Sequence, residues 1–483
     1  MRDRAKSLAR EQWPSLVVGG LVLAYFVTVA VSLPWADDLM LHLAVLRRLI
    51  RDPLHPGNPV IDTGGSSIYY SPYMLVLALP GKAFGLSAYT LYKLAAVVNV
   101  TLLLTGLYRF VRTLSQARWA PPLALIGMLF WWGTKVVTFS GFLSFISFGD
   151  TLAYPSTLAT ALTLHLWAWL NESGRVLRSP RRSVGIGVLL GLILLIHQFT
   201  GLSAIVGCAA ILVANHRIVR TQLALTSLAG GLVACAVAVA VWPYYHLWSV
   251  SQGQLDVLDP IHHALYSHLQ KRYAIGIVLG VVALGLRWWR NKTDVLALMF
   301  IGIGAVVAYG DVSHHWSYGR SWPMVMLLAQ VAVAIAVAEA VRGWQRWAWA
   351  VPVLVATALG AATQFGGNFE NIAQLDKLDK YFTPTTVVAA STQYAQYEVA
   401  AHGSYGVTAP WYLPEIPRTT QSERNAAERA IFASQTSASE RVALLRRYDV
   451  TWVLLAPGQS LPSGLPARFT AEDSGYRLYK VVY

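Results

Sequence analysis

The chain has 483 residues, of which 55% are hydrophobic and only 13% charged, and its mean hydropathy is positive. A soluble domain carries about 25% charged residues, so a single water-soluble globule is excluded. The formal charge of +14 would suit nucleic acid in a soluble protein. Here Arg and Lys fall in short loops between apolar runs, the pattern of the positive-inside rule, so no nucleic-acid partner is expected. Cys208 and Cys235 both lie inside apolar runs and read as small buried hydrophobes.

The N-terminus is basic (Arg2, Arg4, Lys6, Arg10), and the first apolar run covers 14–34. That is too long for a signal-peptide core, and no small-x-small cleavage site closes it, so it reads as a membrane anchor. Further runs fall near 88–108, 119–138, 151–170, 183–197, 199–215, 222–244, 273–287, 293–310, 322–341 and 347–364. Runs of this length read as spanning helices, about eleven in all. With the N-terminus inside, the inside stretches hold 18 basic residues, from Arg2 to Arg346. The outer loops up to Arg320 hold about seven, Arg47, Arg48 and Arg51 among them. Residues 69–84 could also span. That would flip every later loop, so they read as a juxtamembrane or re-entrant helix on the outer face.

The first outer loop, 35–87, contains LMLHLAVLRRLIRD. Leu39, Leu43, Leu46, Leu49 and Ile50 line one side, which predicts an amphipathic helix lying on the membrane. The spanning module covers 1–365. From 366 to 483 charged residues return and strand-like runs appear: TTVVAAST, VTWVLLAP and YRLYKVVY. Between them stand two capping boxes, Thr420-x-x-Glu423 and Ser437-x-x-Glu440. The fold class expected is a polytopic α-helical membrane protein with a small C-terminal extracytoplasmic α/β domain.

Asp37 and Asp38 directly follow the first span. One carboxylate could take a proton from a hydroxyl nucleophile, and the other could hold a metal or orient a sugar. The plain alternative is a helix N-cap. The same loop carries His42, and then Tyr69 and Tyr70, which suit either sugar binding or an interfacial aromatic belt. Asp150, near Tyr154, reads as the cap of the following helix or as a second carboxylate of an outer cavity. His197 interrupts an apolar run at an outer turn, where polar groups usually face a cavity or another helix. The 242–272 stretch supplies His246, Asp256, Asp259, His262, His263, Lys271 and Arg272. Its adjacent histidines lack the i, i+4 spacing of a strong zinc motif. Lys271 and Arg272 could bind a phosphate. The loop GDVSHHWSYGRSWP adds His314, His315, Tyr318 and Arg320, and Arg320 is the foremost phosphate candidate because guanidinium suits bidentate contacts. Asp38 and His263 are the metal candidates.

No Walker loop, GxGxxG fingerprint, HExxH or GxSxG elbow occurs, which argues against an ATP-driven pump and the common hydrolases. The ADDLMLHLAVLRRLI segment, the YYSPYMLVLALPGKAFGLSAYTLYKLAAVVNVTLLLTGLYR stretch and the tail SASERVALLRRYDVTWVLLAP together resemble the GT-C superfamily of integral-membrane glycosyltransferases, in particular its bacterial protein mannosyltransferase and aminoarabinose transferase group. The resemblance implies a polyprenyl-phosphate-linked sugar donor and a glycan, lipid or protein acceptor. It also implies a seat in the bacterial inner membrane among its lipids, with the N-terminus cytoplasmic. By position, Asp37 or Asp38 matches the family's first-loop carboxylate, and Asp150 the acidic residue of a second outer loop. Some members use a divalent metal such as Mg or Mn and others none. The oligosaccharyltransferase WWD signature is absent, so single-sugar transfer is the better fit. A lipid-linked saccharide polymerase or ligase would carry an arginine-rich outer loop, and a transporter would show internal repeats; neither feature is present.

Overall fold

The computed structural model describes residues 2–34, 38–172, 179–216, 221–247, 259–340, 343–369 and 375–483. In chain order its helices up to residue 365 are α1 (Arg2–Ser32), α2 (Leu39–Arg51), α3 (Pro72–Phe84), α4 (Ala88–Leu114), α5 (Ala120–Phe130), α6 (Phe145–Asp150), α7 (Pro155–Glu172), α8 (Pro180–Ile196), α9 (Gln198–Ala214), α10 (Gln222–Ala240), α11 (Leu269–Arg290), α12 (Val295–Val312), α13 (Trp322–Ala338) and α14 (Gly343–Phe365). The chain forms two compact units. One takes residues 1–36, 93–242 and 259–370; the other takes 37–92, 243–258 and 371–483.

The first unit is helical. Each of the eleven apolar runs holds a helix. Among the described residues seven stretches are long and apolar enough to cross a bilayer: Gln12–Ser32, α4, α10, α11, α12, Trp316–Ala338 and α14. The chain is a multi-pass membrane protein. Helix α13 is apolar on every side, as a central helix must be, and 78% of its span is buried. Its one amide, Gln330, donates to Trp131 O at 2.9 Å. Helices α8 and α10 touch backbone to backbone: a Cβ on Gly187 would lie 1.9 Å from Gly231 O. Small residues let membrane helices approach in this way.

The run at 119–138 departs from expectation, because α5 ends at Phe130 after 11 residues. That is about 17 Å, against about 30 Å of hydrocarbon. The chain turns away because Thr134 and Lys135 donate their amides to Lys271 O at 2.7 and 3.0 Å. Gly133 permits the approach, since a Cβ there would sit 2.2 Å from that same oxygen.

The second unit is a five-stranded sheet in the order β2-β1-β3-β5-β4. Its strands are β1 (Val387–Ala390), β2 (Tyr405–Gly406), β3 (Val450–Leu455), β4 (Ala467–Asp473) and β5 (Tyr476–Val481). Strands β2, β1 and β3 run parallel, and β5 and β4 close the sheet antiparallel. The three strand-like runs of the tail are thus β1, β3 and β5; the short β2 and the polar β4 carry too little apolar pattern to announce themselves. Helix α15 (Gln393–Ala401) packs on one face through Ala395 and Val399. Helices α16 (Arg418–Phe432) and α17 (Ala438–Arg447) cover the other through Ile431 and Leu445. Ser437 caps α17 as expected, accepting from the Glu440 amide at 3.2 Å. Thr420 does not cap α16, which starts at Arg418 with Pro417 before it. The start is set by Gln421, whose amide bonds Leu413 N, Leu413 O and Ile416 O at 2.7–2.8 Å.

The first loop belongs to this second unit. Gly406 N donates to Val60 O at 2.8 Å, and Ile61 bridges to Gly406, so the loop extends the sheet edge at β2. Helix α2 does not present its apolar side to lipid. Ten of its 13 residues are buried, and it packs against α3 and α15. Two of its three arginines bond within the same unit: Arg47 pairs with Asp379 at 3.2 Å, and Arg48 donates to Pro384 O at 2.6 Å and lies 3.7 Å above the Tyr405 ring. Helix α3 has 13 residues, about 20 Å, shorter than the hydrocarbon core.

Candidate active site

In the membrane unit, polar side chains from three separate stretches meet. The first is the break between α8 and α9. His197 ends α8 and caps α9. The second is the helical turn 259–266 ahead of α11, and the third is the 3-10 turn Trp316–Ser321 that enters α13. Arg320 Nη2 lies 3.1 Å from His197 Nε2. The other ring nitrogen, Nδ1, accepts from Thr200 N at 3.2 Å and faces Thr200 Oγ1 at 2.8 Å. The guanidinium lies 4.8 Å from the centre of the Phe139 ring and 5.8 Å from that of Phe199, both within cation–π range.

Behind this cation stands a buried chain of hydrogen bonds. Asp259 Oδ1 accepts from Ser317 N at 2.8 Å and from Ser317 Oγ at 2.6 Å. With its proton given to Asp259, Ser317 Oγ can only accept from His262 Nδ1, 2.8 Å away. His262 packs against the same Phe139 and Phe199 rings at 5.6 and 5.7 Å. Burial first, and the Arg320 charge second, push its pKa down to about 3. The imidazole is therefore neutral, with Nε2 unprotonated. His315 adds a weaker contact, Nδ1 lying 3.7 Å from Asp259 Oδ2. The arrangement sets a guanidinium beside aromatic faces and a neutral imidazole at His262.

Asp150 is buried at the last turn of α6, whereas α7 begins at Pro155. It does not cap the following helix. It lines a narrow crevice with Leu33, Pro34, Ala96 and Tyr154. Asn99 holds the turn by donating to Leu152 O at 2.9 Å and Tyr154 O at 3.4 Å.

In the second unit Asp38 precedes α2 but makes no side-chain bond to its first amides. The carboxylate is thus not used as the helix cap that the plain reading assigns to it. Asp37 and Asp256 lie outside the described residues. His42 is buried, its ring 6.2 Å from Tyr92 in a stacked pair and 6.0 Å from Tyr69 edge-on. Burial holds its pKa at about 3. Tyr70 is a structural residue: its hydroxyl donates to Gly57 O at 2.8 Å and its ring meets Tyr244. His246 is exposed.

The remaining candidates do not join the Arg320 cluster. His263 is exposed with its ring 4.4 Å from that of Trp316, and His314 meets the same indole at 5.7 Å. Arg272 donates to Ala264 O, which staples its own turn. Lys271 contributes its carbonyl to the 133–135 turn. Tyr318 packs on Tyr309. Among the described residues no three of His, Cys, Asp and Glu converge as metal ligands. Sequence reasoning misses Ser317, Phe139 and Phe199 and treats Asp259 only as a neighbour of the histidines. The Asp-Pro-x-His spacing of 259–262 was the available signal.

No family model matches the sequence, and no curated protein matches it. Solved structures do. The chain is similar to the arabinofuranosyltransferase AftD from Mycobacteria, with a TM-score of 0.62 at 14% identity over 97% of this chain. It spans 40% of that protein's length. It is also similar to the archaeal oligosaccharyltransferase AglB from Archaeoglobus fulgidus, solved with an inhibitory peptide and a dolichol-phosphate. There the TM-score is 0.52 at 11% identity, over 98% of this chain and 75% of that one. On this likeness the chain has the GT-C fold that its sequence resembles.

Proposed function

We propose that this chain is a membrane glycosyltransferase. It moves a single sugar from a polyprenyl-phosphate donor to an acceptor hydroxyl on a glycan, lipid or protein. The reaction takes place at the outer face of a bacterial inner membrane, with the N-terminus cytoplasmic and the 366–483 domain extracytoplasmic. The observation that carries this reading is Arg320. It is a guanidinium set 3.1 Å from His197 Nε2 and beside two phenylalanine rings in a protein of GT-C fold. Such a group suits an oxyanion that gains charge during reaction.

In the proposed step the acceptor oxygen attacks the anomeric carbon. Its proton passes to a first-loop carboxylate, Asp37 or Asp38. The bond between the anomeric carbon and the phosphate oxygen breaks, and both electrons leave with the polyprenyl phosphate. The dolichol-phosphate bound by AglB supports the donor class. The test is transfer from a radiolabelled polyprenyl-phosphate sugar by the purified chain and its Asp38→Asn and Asp37→Asn variants. Full transfer by both single variants would remove the carboxylates from the reaction.

A further inference from the structure

The second unit contains a cleft of about 520 Å3 that the proposed reaction does not use. It opens at the carboxyl end of β1. The chain places β2 on one side of this strand and β3 on the other, so the strand is a topological switch point, the position where α/β sheets take ligands. Two elements meet there. Thr392 and Gln393 begin α15, and α16 crosses with Asn425, Glu428 and Arg429. Glu428 ties them together: one oxygen accepts from Ala390 N at 2.8 Å, and the other meets Gln396 Nε2 at 2.5 Å.

The polar groups around the cleft narrow the ligand. Burial pushes Glu428 up to about 8, so at neutral pH it is a neutral acid and offers no charge to a cation. The one arginine lining the cleft, Arg429, is exposed, with Nε on Asn425 O at 3.2 Å, so solvent and salt screen its charge. What remains is a set of neutral amides and hydroxyls. Thr408 Oγ1 donates to Asn425 Oδ1, which leaves the Asn425 amide nitrogen as the donor. Gln393 Nε2 is held by Pro410 O at 2.7 Å and Tyr397 Oη at 3.1 Å, which leaves its oxygen as an acceptor. Phe432 supplies an aromatic side chain at the rim. Fixed neutral donors and acceptors beside one ring match a polyhydroxylated ring ligand, and the volume lies in the usual range for small-ligand pockets.

From this geometry we infer that the β1 cleft is a saccharide-binding site, separate from the Arg320 cluster, that holds a glycan chain by its hydroxyls. Its service to an acceptor glycan rests on the glycosyl-transfer reading; its binding of saccharide does not.

The test uses the full chain in detergent without donor, titrated calorimetrically with α-1,5-arabinotetraose, α-1,6-mannotetraose and maltotetraose, and with sodium phosphate. At least one tetrasaccharide binds. Asn425→Ala and Gln393→Ala each weaken that binding about tenfold, the effect of one lost hydrogen bond, and Arg320→Ala leaves it unchanged. The inference is overturned if no tetrasaccharide binds, or if phosphate displaces the bound glycan. It is equally overturned if Arg320→Ala abolishes binding while the two cleft variants keep it. Transfer without tetrasaccharide binding sinks only this inference. Binding without transfer sinks only the proposed reaction.

Discussion

Arg320 of the membrane unit and Arg441 of the sheet unit show two ways to hold a guanidinium. Arg441, 2% exposed, donates to Ile431 O, Ser463 O and Ala433 O. Carbonyl oxygens satisfy a fork of donors, and the residue serves to lock α16 and α17 together. Arg320 instead lies 3.1 Å from His197 Nε2 and beside two aromatic faces. A guanidinium already aligned at a reacting group costs no reorganisation when charge develops there. The carboxyls divide in a similar way. Asp259 is used to orient Ser317, and through it His262, whereas burial keeps Glu428 and Glu398 protonated up to about pH 8.

The largest effect expected is at the first-loop carboxylate. Asp38→Asn should lower transfer by about 10²–10⁴-fold, the usual contribution of a general base, with the variant still inserted and monodisperse. If the loss falls on Asp37→Asn alone, the base is Asp37 and Asp38 is a bystander. Arg320→Ala comes next. It should raise the donor KM by about ten- to a hundredfold, the worth of charge-assisted hydrogen bonds, with a smaller change in kcat. Arg320→Lys should recover part of this, since it restores charge without the fork. An unchanged donor KM in Arg320→Ala would make Arg320 structural, like Arg441.

Glu428 gives a smaller, pH-dependent effect on the sheet unit. Its folded pKa of about 8 stands above its ordinary value of 4.5. The stabilisation from the protonated group is complete below pH 4.5 and is lost as pH rises towards 8. Glu428→Gln keeps an acceptor for Ala390 N and cannot ionise. At pH 8 the variant should therefore show slower hydrogen exchange over 387–455 than the parent, and at pH 4.5 the two should match. Glu398, shifted the same way, keeps some slope in the variant. Equal exchange at both pH values would mean that Glu428 is not buried as a neutral acid.

Much of the architecture is legible in the sequence because lipid imposes it. Long runs of apolar residues read as helices, since a helix satisfies its own backbone in hydrocarbon, and all eleven runs hold one. Where water or protein competes with lipid, the signal weakens. The apolar stripe of α2 reads as membrane-facing, yet α3 and α15 cover it; periodicity reports that a face is buried and not by what. The extent of α5 is hidden because its ending depends on a carbonyl at Lys271, far along the chain. Within the site, Arg320 and His197 stand out as polar residues in apolar surroundings. Phe139 and Phe199 do not, for an aromatic residue in a membrane protein has many ordinary reasons to be there.

The smallest test concerns the two capping boxes, alike in sequence and different in structure. Ser437 accepts from the Glu440 amide and caps α17, so Ser437→Ala should cost about 1 kcal/mol. Thr420 lies inside the first turn of α16. There a β-branched residue gives up side-chain freedom without supplying a cap, so Thr420→Ala should be neutral or stabilise by a few tenths of a kcal/mol. The readout is the denaturation midpoint of the sheet unit, followed by exchange over 387–455 in the full chain. Equal losses in the two variants would move the start of α16 to Thr420. That shift would carry Asn425, Glu428 and Arg429 with it, because their common face on the β1 cleft depends on a helix that Gln421 holds from Arg418 onward.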